Sequence, residues 1–225
     1  LRNAIQIGNW IATMDNAAAI GEKPQDVVAA PNQLTAYFTA RVTFFEQLAA
    51  NALPTQILLA NFSGDVTWSH YCLGIQQVFE EAALSCPPIA GSTESNMSTM
   101  QSALAITMLG EQQQRDLYAT DDLIWYTYGL PLVGAEVVEQ AEDVAQVQAV
   151  FQAWQKEVVQ QVWPVGSKGL QAEFSRLFGE RTITCPVDCM KTAGPCTIVL
   201  LGIRPENEQL AKHYFQRHFH KLTIG

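Results

Sequence analysis

The chain has 225 residues, 48% hydrophobic and 16% charged. That balance excludes intrinsic disorder and supplies a core that needs no disulfide or metal to hold it. Thirteen Lys and Arg against 22 Asp and Glu leave a formal charge of −9, with no basic run to displace counterions from phosphates, so direct nucleic-acid contact is not expected.

The pass along the chain reads as helix after helix. Residues 1–20 are Ala-rich with a broad apolar face, and Gly21 ends them. Residues 21–31, broken by Pro24 and Pro31, form a linker. Asn32 caps a second helix in which Leu34, Phe38, Val42, Phe45 and Leu48 recur at three-and-four spacing up to about Asn51. Ser63 or Asp65 opens a third, carrying Val66, Cys72, Leu73, Val78 and Phe79, which must stop before Cys86-Pro87-Pro88. The text PPIAGSTESNMS (87–98) is a loop by composition, the longest in the chain. Residues 97–117 give a fourth helix, with Met100, Leu104, Met108 and Leu109 inward. Thr120-Asp121-Asp122 starts another, whose aromatic body ends at Gly129-Leu130-Pro131.

Residues 134–163 carry the clearest pattern. Val137, Val144, Phe151 and Val158 recur every seven residues, and Ala141, Ala145, Ala149 and Ala153 widen the stripe. A bundle helix is favoured over an intermolecular coiled coil. Residues 167–178 form a short helix. The only strong strand candidates are 181–185 (RTITC) and 197–203 (TIVLLGI), a looped antiparallel pair. Pro205 opens a last helix to about Phe219. The expectation is a mainly α fold: a helical bundle of six to eight helices with a small two-stranded β appendage near the C-terminus. Residues 1–164 form the all-α core, and 165–225 a mixed segment packed on it.

Candidate sites are few. Cys185-x3-Cys189 has zinc-ligand spacing, Cys196 follows, and His213 could be the fourth ligand. A disulfide with one free thiol, or three inert thiols, accounts for the same residues. The histidines at 213, 218 and 220 stand at spacings that place no pair one helical turn apart. Nucleophile-elbow and phosphate-loop motifs are missing. Trp125, Tyr126 and Trp163, large and amphipathic, are interface candidates.

The function expected on this basis is non-catalytic: a subunit of a larger assembly of shell, coat or scaffold type, with protein partners and homo-oligomerisation. The chain opens on Leu1, so a missing native start is expected. Two alternatives stay open. One is a helical enzyme or ligand-binding protein whose pocket is drawn from several elements. The other is an adaptor stabilised by zinc on the cysteine loop. No other cofactor is expected. The longest nearly uncharged apolar stretches, 53–63 and 196–203, fall well short of the ~20 residues of a membrane span. An odd cysteine count favours a reducing intracellular compartment.

Overall fold

Gly8-Asn9, between Ile7 and Trp10, turns the start of the chain into a hairpin. The structure, a computed structural model, describes residues 3–225. Ala4–Ile7 (β1) and Trp10–Ala18 (β2) pair antiparallel with Ile7 opposite Trp10 and Gly8 at φ +60°, as a two-residue turn with positive φ requires. The helix expected over 1–20 is therefore strand from Ala4 onward; Leu1 and Arg2 lie outside the described residues. Ile20–Gly21 (β3) and Val28–Ala29 (β4) make a short parallel pair within the expected linker region.

Next come Asn32–Ala49 (α1), Ala52–Asn61 (β5), Trp68–Glu81 (α2), Ile89–Thr93 (β6) and Ala103–Gln112 (β7). The five long strands form one sheet in the order β1-β2-β7-β5-β6. Each neighbouring pair is antiparallel except β5 and β6, which run parallel because α2 crosses over between them. β7 replaces the expected fourth helix. Leu104 and Met108 fit either period, but buried Ile106 between them, β-branched, settles the segment as strand.

α1 packs against α2, β2 and β7, and a polar pin fixes it there. Gln47, fully buried, donates from Nε2 to Ile11 O at 3.1 Å, Thr13 Oγ1 at 3.0 Å and Met108 O at 2.9 Å. The approach is close enough that Gly110 cannot carry a side chain. A Cβ there would lie 2.3 Å from Gln47 Oε1 and 2.4 Å from Leu53 O.

The chain divides after Gln114 into two units. In the second, Ile124–Gly129 (β8), Ala135–Glu139 (α3), Val147–Gln155 (α4), Gln161–Pro164 (β9), Gly169–Phe178 (α5), Ile183–Thr184 (β10), Ile198–Ile203 (β11), Glu208–Tyr214 (α6), Phe219–Lys221 (β12) and Thr223–Ile224 (β13) follow in order. An antiparallel sheet runs β12-β8-β11-β9, and β10 pairs with β13. Leu170, Phe174 and Phe178 of α5 join Trp125, Ile198 and Leu200 in one apolar cluster.

The heptad segment is not one helix. Gln140 ends α3, Val144 is extended at ψ 152°, and the Ala145 amide donates to Thr197 O at 2.7 Å. Val137, Val144, Phe151 and Val158 are all buried, so the stripe marks burial correctly while the backbone bond to Thr197, the residue before β11, interrupts the helix. Residues 124–129 are strand, since Trp125-Tyr126-Thr127-Tyr128 suits a pleated surface and pairs with Gly202-Leu201-Leu200-Val199 across β11. The mainly α bundle with a β appendage is thus corrected to a mixed α/β fold. The described residues hold thirteen strands and are 34% helix and 29% strand.

Candidate functional site

Where a crossover joins two parallel strands, the loops at their carboxyl ends enclose a crevice that side chains from separate stretches can line. In the first unit those loops follow Asn61 of β5 and Thr93 of β6. They bound a cleft of about 240 Å³ lined by Ser63, Gly64 and Asp65, by residues 94–99, and by Lys23.

Asn61 organises its floor. Its Nδ2 donates to Gly64 O at 2.9 Å and Thr93 Oγ1 at 3.3 Å, so one side chain ties both strand ends. Its Oδ1 accepts from the Ser63 amide at 2.9 Å and from Thr67 Oγ1 at 3.0 Å. Ser63 Oγ lies 2.7 Å from Tyr71 Oη, donates to Ala103 O and accepts from the Ala103 amide at 2.9 Å. Gly64 sits at φ +101°, ψ 166°, a region essentially closed to residues with a Cβ.

The far wall is equally tied down. Glu94 Oε1 accepts from the amides of Asn96 at 2.8 Å and Met97 at 3.0 Å. Thr99 Oγ1 donates to Phe62 O at 2.7 Å, clasping the two loops together. Lys23 enters from the segment between β3 and β4, its Nζ donating to Thr99 O at 2.9 Å and to Thr99 Oγ1. Two of its three protons are engaged, which leaves one for a ligand. Asp26 holds that segment in place. Its carboxylate accepts from the Ser102 amide and hydroxyl, both at 2.7 Å, and from the Lys23 amide at 2.8 Å. Desolvation pushes the Asp26 carboxyl up, but the Ser102 and Lys23 hydrogen bonds and the Lys23 charge outweigh it and hold it below the ordinary carboxylate value. The lining as a whole carries one ammonium, two carboxylates and a set of small hydroxyl and amide groups.

The residues singled out in the sequence lie elsewhere, in the second unit. Cys185 and Cys189 come together, each thiol donating to Val187 O at 3.4 Å. Burial, then the neighbouring Cys185, raises the Cys189 thiol well above its usual range. Cys196 is buried, and His213 stands on an exposed part of α6. Among the described residues no three His, Cys, Asp or Glu side chains are grouped to hold a metal. Trp125 and Tyr126 are core residues, with Trp125 Nε1 donating to Thr120 O at 3.0 Å and Tyr126 stacked on Phe219 at 4.1 Å. Trp163 packs on the same cluster as Trp125 and donates to Glu173 Oε2 at 2.9 Å. The cleft residues carry no spacing motif. Their one sequence signal is density: Ser-Gly-Asp at 63–65 and Glu-Ser-Asn-Met-Ser-Thr at 94–99, each closing a strand.

No protein-family description matches the sequence, and no curated protein matches it. Solved structures define the class of fold first: a mixed α/β chain spanned along almost its whole length. One is the hydrogenase maturation protein HypE, at TM-score 0.68 and 8% identity, covering 98% of this chain and 82% of that one. A structure of HypE in complex with ATP matches at 0.66 and 8%, covering 98% and 78%. Thermotoga maritima PurL complexed with AMPPCP matches at 0.58 and 12%, covering 99% of this chain but 42% of PurL. At such identities the likeness establishes the fold. It overturns the expected all-α, coat-like assembly subunit, since the architecture is that of HypE and PurL and not of a helical shell component. Among the described residues no helix is long and apolar enough to cross a membrane.

Proposed function

We propose that this chain binds a nucleoside triphosphate as its magnesium salt, with the phosphate end in the cleft between the β5 and β6 loops. The observation that carries the reading is the cleft's position and lining together: carboxyl ends of a parallel strand pair, one lysine proton still available, and two carboxylates. The neighbours' complexes with ATP and AMPPCP support it.

The charges select the salt over the free anion. One ammonium beside two carboxylates repels a bare polyphosphate but suits one carrying a divalent cation. Magnesium is usually held by one or two protein carboxylates plus the substrate's phosphates and water. Asp65 and the second oxygen of Glu94 fit that role, and Lys23 Nζ faces the phosphate as a point charge. Calorimetry with the magnesium salt of ATP tests this. Wild type binds, and Lys23→Ala weakens binding at least tenfold while keeping its melting temperature. Equal affinity in the variant contradicts the reading.

A second proposal concerns partners. The sheet face of the first unit away from α1 exposes Ile5, Ile7, Trp10, Met14 and Leu58. So much apolar surface in one place marks an association face, and we assign it to homo-oligomer formation. Sedimentation of wild type against Ile7→Asp with Met14→Lys tests it. A dimer that the double variant turns into a monomer supports it, and an unchanged mass contradicts it.

A further inference from the structure

The loop between β10 and β11 brings two thiols to one point. Over residues 185–190 half-buried and exposed positions alternate, with Cys185, Val187 and Cys189 half-buried and Pro186, Asp188 and Met190 exposed. The three half-buried side chains pack on the cluster that contains Trp125, Leu170 and Phe174. Both thiols donate to one acceptor, Val187 O, at 3.4 Å each, and the Cys185 thiol also hydrogen-bonds Cys189. Sulfurs that share an oxygen and bond each other have already been brought together by the backbone, which is the condition a disulfide sets. Neither is sealed off, so a small oxidant can reach them.

The pair also lies between two elements. On one side Ile183 and Thr184 are paired with Ile224 and Thr223 of β13, so Cys185 directly continues a paired strand. On the other, Cys189 O accepts from the Gln171 amide at 2.9 Å in the first turn of α5. Gly169, at φ +73°, lets the loop cross there, since a Cβ would lie 2.7 Å from Lys191 O and 3.1 Å from Cys189 O.

We infer that Cys185 and Cys189 are a dithiol–disulfide couple, which exchanges with low-molecular-weight disulfides and, when oxidised, ties β10 to the start of α5. The Cys185 thiolate attacks one sulfur of the small disulfide, forming a mixed disulfide and releasing one small thiol. Cys189 then gives its proton to water, and its sulfur attacks Cys185 Sγ, breaking the mixed disulfide and releasing the second small thiol. The protein loses two electrons, and the small disulfide takes them up as two thiols. The order follows from the surroundings. Burial and the neighbouring Cys185 hold the proton on Cys189, so Cys185 attacks first, and capping Cys185 removes its share of that hold.

The test equilibrates the reduced full chain with millimolar oxidised glutathione, quenches it with N-ethylmaleimide and digests it with trypsin without reduction. Cleavage after Arg181 and Lys191 leaves both thiols on one peptide, 182–191, which has no other cysteine. That peptide is expected to take no maleimide and to be about 2 Da lighter than its reduced form, and dithiothreitol should reverse the change. Cys189→Ser should stop at the first step, with one glutathione on the peptide. Hydrogen exchange at the Gln171 amide should be at least about fivefold slower in the oxidised chain. The couple is overturned if wild-type 182–191 keeps both maleimides, carries glutathione without closing, or is linked to Cys72, Cys86 or Cys196. Unchanged exchange at Gln171 overturns the tie to α5. Should Cys189→Ser fail to fold, the wild-type peptide alone decides.

Discussion

Gly64 is the position where backbone geometry and the cleft depend on each other most, and replacing it by alanine isolates the backbone term. A Cβ built there meets nothing within 4 Å, so no clash contributes. The cost is the conformation itself. At φ +101° and ψ 166° a residue with a side chain bears about 1–3 kcal/mol of strain. Alanine also restricts the unfolded chain, a gain of about 0.4–1 kcal/mol. The difference leaves a net loss of about 0.5–2 kcal/mol. Relief of the strain by rotating the turn would move Gly64 O off Asn61 Nδ2 and Thr67 Oγ1. The assay is urea denaturation together with hydrogen exchange of the β5 and β7 amides, which reports on the first unit alone. Asparagine supplies the discriminating control. It tolerates the left-handed region, and Asn51 already sits at φ +53°, but it does not tolerate the conformation at Gly64. Gly64→Asn should therefore be as damaging as Gly64→Ala. If Gly64→Asn is benign, the backbone argument is wrong.

Further expectations follow from the second unit and from the thiols. Glu208 is held down to about 2 by hydrogen bonds from Tyr126 and Lys221, against desolvation and with help from the Lys221 and Lys212 charges. A depressed carboxyl stabilises fully above its unfolded pKa and loses that contribution as pH falls toward the folded one. Wild type should therefore lose more stability between pH 5 and pH 2 than Glu208→Gln, and parallel urea midpoints would refute this. Arg115 donates to Trp154 O at 2.8 Å and Val159 O at 3.1 Å and lies over the Trp154 ring. Arg115→Ala should destabilise by about 1.5–3 kcal/mol, and Arg115→Lys should recover under half of that, because an ammonium cannot match the planar fork. Burial, then the Cys72 thiol and Glu80, pushes Cys86 up to about 11. Its alkylation at pH 8 should be at least tenfold slower than that of a free cysteine peptide, and labelling at the peptide rate contradicts the placement.

How much of this was legible beforehand depends on which period a segment satisfied. α1, α2 and α5 were readable because their apolar residues keep a helical spacing and end at Asn51, Cys86 and Gly179 or close to them. β11 was readable from Thr197 to Ile203, a continuous β-branched and leucine run. The first hairpin was misread because alanine, at home on either kind of face, occupies positions 12 and 17–19 and hides the alternation, although Gly8-Asn9 carries a recognised two-residue turn signal. β7 was ambiguous at Leu104 and Met108, and its pairing with β2 and β5, which buries Ile106 between them, removes the ambiguity. The heptads of residues 134–163 reported burial truly and continuity falsely, since the bond that breaks the helix comes from Thr197, more than fifty residues away. The cleft was invisible for a related reason. Lys23, Asn61 with Gly64, and Glu94 sit on three separate stretches, and only the crossover through α2 brings the β5 and β6 loops together.

The most direct test of the account is a backbone amide NMR titration of the ¹⁵N-labelled chain with the magnesium salt of ATP. The account predicts saturable shifts concentrated at Lys23, Phe62–Asp65 and Glu94–Thr99, with the second unit's β8 and β11 amides left in place. Shifts confined to the second unit, or none at millimolar nucleotide, would contradict it.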